Sequence, residues 1–244
     1  MPVLKNFISR VKEVGGEEGW AVVAKRGFSW MAFTLIYPFR AISRPKTFNF
    51  GKKKMKYFDH FFNTTWMNER SIEIPIVWSE VKENWNKEVL EVGNVLSYYF
   101  SDFPKSFQRV DKYEKIKGVI NEDIINFNPK KKYDLIVSIS TLEHVGIDES
   151  PKDFDKIVFA VNKLKKLLRG GGRAVVTVPL DYHPRLMELI EEGKINFTKE
   201  HYLKRMSANN FWEEISREEA KGIKFGSPYM YANGLLVGII EKRQ

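Results

Sequence analysis

The sequence predicts an α/β domain, a mostly parallel sheet with helices on both faces, set behind a basic N-terminal extension. Three observations carry this. From Glu88 onward, short apolar runs alternate with helical stretches, and buried-type strands separated by helices build parallel sheets. The length of 244 residues, 43% hydrophobic, suits one such domain with an extension. The charge is also unevenly divided. Residues 1–56 hold 12 Lys/Arg against 3 Asp/Glu, whereas the remaining 188 hold 28 of each sign. The net charge of +9 therefore belongs to the extension and not to the domain.

In chain order, residues 3–14 place Val3, Leu4, Phe7, Ile8, Val11 and Val14 on one helical face. Trp20 to Ile42 follows, with the thirteen-residue uncharged run Gly27–Phe39 bracketed by Lys25-Arg26 and Arg40. That run is too short to span a bilayer. It suits an interfacial or re-entrant helix, or equally a helix packed on the domain or on a second subunit. Thr47–Phe58 alternates around Gly51 and reads as a β-hairpin with a lysine-rich tip, which closes the extension at residue 58. Phe61–Trp66 is a polar, aromatic loop entering a helix from about Asn68 to Trp85. Strands are expected at Val89–Val92, Arg109–Asp111, Tyr133–Ile139, Arg173–Pro179 and Leu235–Glu241, with a third short strand ending near Asp123. Phe154–Leu168 is the best amphipathic helix, and Gly170–Gly172 is expected to stop it as a left-handed C-cap.

With no cysteine, disulfides, thiolate catalysis and cysteine-ligated metal sites are excluded, which fits a cytoplasmic setting. No uncharged run is long enough for a membrane span, and no secretory cleavage pattern follows the start. The histidines, with Glu143 and Asp181, show no metal-ligand spacing, so no metal is expected.

The candidate site begins at the end of the first strand of the domain, Leu90-Glu91-Val92-Gly93-Asn94-Val95-Leu96-Ser97. Glycine there lets the chain turn sharply and a ligand approach the main chain. A dinucleotide fingerprint would need glycine at positions held by Val95 and Tyr98, and no GxxxxGK[ST] occurs, so the turn is not built for a pyrophosphate. Asp111 follows Gly93 by 18 residues, near the spacing at which an acid meets ribose hydroxyls. Asp123 can accept from an exocyclic amine such as adenine N6. A helix N-cap or a surface acid explains either aspartate alone; the ordered set is more specific.

The stretch Tyr133-Asp134-Leu135-Ile136-Val137-Ser138-Ile139-Ser140-Thr141-Leu142-Glu143-His144 is a buried strand entering a polar loop. With Gly170–Gly172, Arg173–Pro179, the Glu91-x-Gly93 turn, Asp111 and Asp123 in order, it resembles class I S-adenosylmethionine-dependent methyltransferases from about Glu69 to Lys242. The resemblance implies a central sheet of about seven strands within residues 59–244 and an enzyme that uses S-adenosylmethionine. It implies Glu91, Gly93 and Asn94 at the methionine part, Asp111 at the ribose with Lys112 beside it, and Asp123 with Ile124 at the adenine. Ser140, Thr141 and Leu142 would run past the sulfonium. The family's richer ExGxGxG turn is reduced here to EVGNVLS.

His144 is the leading general-base candidate, because the loop after the fourth strand should face the methyl group; an exposed loop histidine is the competing reading. His183 comes after the fifth strand at the same sheet edge and reads first as a loop residue, while His60 and His201 have no supporting context. Arg70 can meet a carboxylate of the cofactor bidentately, or be an exposed helix arginine. Tyr229–Gly234 suits an acceptor pocket or a β-turn. The leading expectation is methyl transfer to a small-molecule or glycan acceptor, lipid-linked ones included, at the inner face of a membrane touched by the extension. The alternatives are an RNA or protein methyltransferase using the basic N-terminus, against which the neutral domain argues, and a non-catalytic membrane-associated scaffold with a vestigial site. The oligomeric state is not legible.

Overall fold

A computed structural model describes Gly16, Trp20 and residues 44–244. The helix expected over residues 3–14 and most of the segment from Trp20 to Ile42 lie outside the described residues.

The domain is a three-layer α/β sandwich. Its sheet holds eight strands, one more than expected, in the order β5-β4-β3-β6-β7-β10-β8-β9. These are β3 (Val89–Val92), β4 (Phe107–Asp111), β5 (Ile120–Asn121), β6 (Tyr133–Ile139), β7 (Leu168–Pro179), β8 (Lys199–Arg205), β9 (Trp212–Ile215) and β10 (Gly234–Glu241). The pairs from β5 to β7 are parallel, and β10 then pairs antiparallel with both β7 and β8. The sequence order of β3, β4, β5 and then β6, β7 runs outward from the middle in two directions. The chain reverses between β3 and β6, which opens a crevice at their carboxyl ends.

Side chains alternate between two apolar layers. Leu90, Val92, Ile136, Ala174 and Val176 pack against α2 (Lys156–Leu167) and α3 (Leu186–Glu191). Val89, Leu135, Val137, Val175 and Leu235 pack against α1 (Arg70–Glu83). The hairpin forms as expected, β1 (Thr47–Phe50) against β2 (Lys53–Lys56). It is not detached from the domain: Phe48 is buried in the second layer, and the Gly51 amide donates to Glu214 at 2.7 Å.

One expectation is corrected. Gly170–Gly172 does not cap the long helix. That helix ends at Leu167, and Leu168 turns extended (φ −67°, ψ 142°) to pair directly with Tyr133. The glycines lie inside β7, where the register slips between Tyr133 and Leu135. A Cβ at residue 172 would sit 2.9 Å from the Tyr133 carbonyl, so glycine is required there by close backbone approach.

Candidate functional site

The carboxyl ends of β3, β4 and β6 surround a cavity of about 230 Å³. Its lining includes Gly93, Asp111, Lys112, Asp123, Ile124, Ser140, Thr141, Leu142 and His144. Nine of the twelve residues expected at the site therefore meet around one space. The parallel register explains this, since Val92 lies beside both Val110 and Ser138, and Asp111 beside Asn121.

Gly93 is the hinge of the first turn. Its amide donates to the Val110 carbonyl at 2.8 Å, and its φ of +91° favours glycine. A Cβ there would overlap Thr141, whose Oγ1 donates back to the Ile139 carbonyl at 3.0 Å. The backbone at 93 is thus left bare against the wall opposite.

Glu91 is fully buried beneath this turn and does not line the cavity. Its Oε1 accepts from the amides of Val95 and Leu96 at 2.9 and 2.8 Å. Burial pushes its pKa up to about 7, although those two amides and Arg109 pull it down. Glu91 thereby fixes the loop after Gly93. Asn94 does not line the cavity either: it is 3% exposed next to Gly93, and neither of its side-chain polar atoms has a hydrogen-bond partner.

Asp111 caps its own turn: Oδ1 accepts from the amides of Tyr113 and Glu114, both at 2.8 Å. Both bonds fall on one oxygen, so Oδ2 is the atom a ligand hydroxyl would meet. Asp123 lies two residues beyond β5. Its Oδ1 accepts from the Ile125 amide at 3.0 Å, and its Oδ2 lies 3.1 Å from Lys112 and 3.4 Å from Lys156. Burial raises the Asp123 pKa, but the Ile125 amide and the two lysines outweigh it and hold the carboxyl below its ordinary value.

Arg70 is turned away from the cavity lining and bound to Glu73, 2.5 Å from its Oε2. Glu73 has no exposed surface. Its Oε1 also accepts from Ser140 Oγ at 2.5 Å and Thr177 Oγ1 at 2.7 Å. This acid ties α1 to the ends of β6 and β7 and holds Ser140 in its left-handed conformation (φ +37°). Glu143 is buried beside the same network, and burial together with Glu73 and Glu69 drives its pKa well up, against its own backbone amide and Arg70.

His144 lines the cavity, with Nδ1 2.8 Å from Asp148 Oδ2 and its ring 4.9 Å from that of Tyr182. A carboxylate only accepts, so Nδ1 is the donor in this contact and Nε2 is the ring nitrogen it leaves unengaged. His183 is instead 2% exposed; its Nδ1 accepts from the Arg185 amide at 3.3 Å, and burial lowers its pKa. The segment Tyr229–Gly234 is a turn in which Asn233 binds the carbonyls of Tyr229 and Tyr231. The Ala232 amide donates to Glu69 at 3.2 Å.

Sequence reasoning missed Glu73, Asp148 and Glu149. Asp148 and Glu149 are unremarkable acids in a polar stretch, Glu73 is a lone acid among apolar residues, and only the partner each meets in the fold gives it a role. Among the described residues, no group of three His, Asp or Glu is disposed to hold a metal ion. No helix among them is long and apolar enough to cross a membrane.

No family model and no curated protein matches this chain. Solved structures that are similar include the N-methyltransferase NodS from Bradyrhizobium japonicum WM9 in complex with S-adenosyl-L-homocysteine, at 14% identity and TM-score 0.48 over 72% of this chain and 88% of that one. The 1,6-didemethyltoxoflavin-N1-methyltransferase from Burkholderia thailandensis follows at 12% identity and TM-score 0.41, covering 82% of this chain and 100% of that chain. The sugar N-methyltransferase KedS8 from Streptoalloteichus sp. has the same identity and TM-score, covering 82% of this chain and 98% of its own.

Proposed function

We propose that this chain is an S-adenosylmethionine-dependent methyltransferase acting on a small-molecule or glycan acceptor. The observation that carries the reading is the convergence of Gly93, Asp111, Asp123 and Thr141, in chain order, on one cavity at the carboxyl edge of a parallel sheet. The residues present fit such a cofactor. Gly93 offers bare backbone, Asp111 keeps one oxygen for a ribose hydroxyl, and Asn94 holds two buried polar atoms without protein partners. Asp123 and Ile124 would hold the base, one by accepting from its amine and the other by apolar contact. Lys112 stays beside them as the counter-charge to Asp123.

When bound, the cofactor supplies a methyl group on a sulfonium, already activated for in-line displacement. The protein's part is alignment, worth roughly 7–11 kcal/mol in well-oriented reactions. Ser140, Thr141 and Leu142 form the wall past which the acceptor must approach, and Glu73 holds that wall rigid through Ser140. His144, oriented by Asp148, can take a proton from an acceptor hydroxyl or ammonium at Nε2, a contribution of about 10²–10⁴-fold where one is needed.

The extension, residues 1–58, is the part we assign to an anionic membrane surface, and residues 59–244 form the catalytic domain. Lys52, Lys53, Lys54 and Lys56 on the hairpin are exposed, and the basic-flanked run Gly27–Phe39 precedes them in the sequence.

Calorimetric titration of the purified full chain with S-adenosylmethionine and S-adenosylhomocysteine tests the reading. Both should bind, and Asp111→Ala should weaken them by about 100-fold, since it removes the ribose acceptor and the cap of its turn together. A well-folded wild-type protein that binds neither ligand would contradict it.

A further inference from the structure

Four charged side chains from three separate segments interlock at one side of the cavity. Lys112 lies 2.7 Å from Glu149 Oε1 and 3.1 Å from Asp123 Oδ2. Lys156 bonds Glu149 Oε2 and lies 3.4 Å from Asp123 Oδ2. Glu149 therefore takes both lysines, one on each oxygen, at shorter range than Asp123 takes either. Asp123 has only Oδ2 to offer, because Oδ1 is engaged by the Ile125 amide.

Glu149 is itself held in place. It sits in a loop whose neck is closed by the Asp153 amide donating to the Gly146 carbonyl at 2.9 Å. Gly146 has φ +82°, and the Asp153 carbonyl leaves no room for a Cβ there. The neck fixes where the loop leaves and rejoins the fold, and the two lysines hold the Glu149 carboxylate between them.

We propose that Glu149 is a positioning residue that sets the selectivity of Asp123 for an amine. The inference rests on the nucleoside reading of the cavity given above. Two ammonium groups leaning on Asp123 alone would saturate its free oxygen and turn the spot into one that prefers a carbonyl. By drawing both lysines toward itself, Glu149 leaves Asp123 Oδ2 able to accept from a 6-amino group. A ligand with a 6-oxo group in its place meets an acceptor where it needs a donor.

The test compares S-adenosylhomocysteine with S-inosylhomocysteine, which differ in the 6-substituent and in the proton N1 then carries, by titration of the full chain; the N1 difference is common to wild type and variants, so the change in preference reports on the 6-position. Wild-type protein should prefer the amino ligand by about tenfold or more, the effect of one charge-assisted hydrogen bond. Glu149→Gln should erase most of that preference, chiefly by weakening the amino ligand, while the oxo ligand binds as well as before or better. Adding Lys156→Met to Glu149→Gln removes one of the two released cations and should restore part of the preference. A Glu149→Gln variant that weakens both ligands equally, or neither, overturns the inference, as does a wild type that binds both without preference. A wild type that binds neither overturns the cofactor reading and this inference with it.

Discussion

Replacing Glu73 by alanine is expected to destabilise the fold by about 3–5 kcal/mol, the usual cost of removing one partner from a buried ion pair. The loss has three parts. The Arg70 guanidinium, with only 15% of its side chain exposed, is left with weaker charge neighbours. The hydroxyls of Ser140 and Thr177 lose their shared acceptor. The contact between α1 and the ends of β6 and β7 opens beside the cavity. Glu73→Gln keeps an acceptor for the hydroxyls but sets an NH2 donor against Arg70 in place of Oε2, so it should cost less than alanine but not little, about 1.5–3 kcal/mol. Urea denaturation measures both. An alanine variant within 1 kcal/mol of wild type would mean that water or Glu69 replaces Glu73 at little cost.

The second large effect is expected at Gly93. Gly93→Val should reduce binding of S-adenosylhomocysteine by at least about 100-fold, or roughly 2.7 kcal/mol. Two causes act together: φ is +91°, which strains any side chain with a Cβ, and that Cβ falls inside Thr141. The parts separate by experiment. Thr141→Ala added to Gly93→Ala relieves the overlap and leaves the backbone strain, so it should recover some affinity but not all. Thermal melts run alongside should show a lowered but cooperative transition, because the turn lies at the rim of the sheet and not in its core. Unchanged binding by Gly93→Val would place the ligand away from this turn.

The sequence showed the centre of the fold better than its margin, for a physical reason. Val89–Val92 and Tyr133–Ile139 were legible to the residue because both faces of those strands are covered, so they read as dense apolar runs interrupted only by Glu91, Asp134 and Ser138. β4 begins two residues earlier than expected, at Phe107, because the polar Gln108 separates Phe107 from the rest of the strand in an apolar count. Strands β8 and β9 were not read at all. The segment Lys199–Arg205 is mostly charged, with Tyr202, Leu203 and Arg205 alone buried, so no apolar run marks it although β10 and β9 pair with it on both sides.

The site divides in the same way. Asp111 ends a strand and Gly93, Asp123 and His144 each follow one, so their meeting at one edge could be read from chain order and sheet parallelism. Glu73 meets Thr177 across 104 positions, and Glu149 meets Lys112 across 37. No local pattern marks such pairs, because the reason for each residue is its partner. Arg70 shows the converse. A basic side chain near a ligand carboxylate was a sound expectation from type and position, yet the nearest strong acceptor in the fold is Glu73, three residues along its own helix.

A crystal structure of the full chain grown with S-adenosylhomocysteine would show where the ligand sits. The account predicts the ribose hydroxyls on Asp111 Oδ2, the adenine amine on Asp123 Oδ2, and the amino-acid end over Gly93 and beside Asn94. Density for the ligand elsewhere on the protein, with Asp111 and Asp123 facing only solvent and lysine, would contradict it.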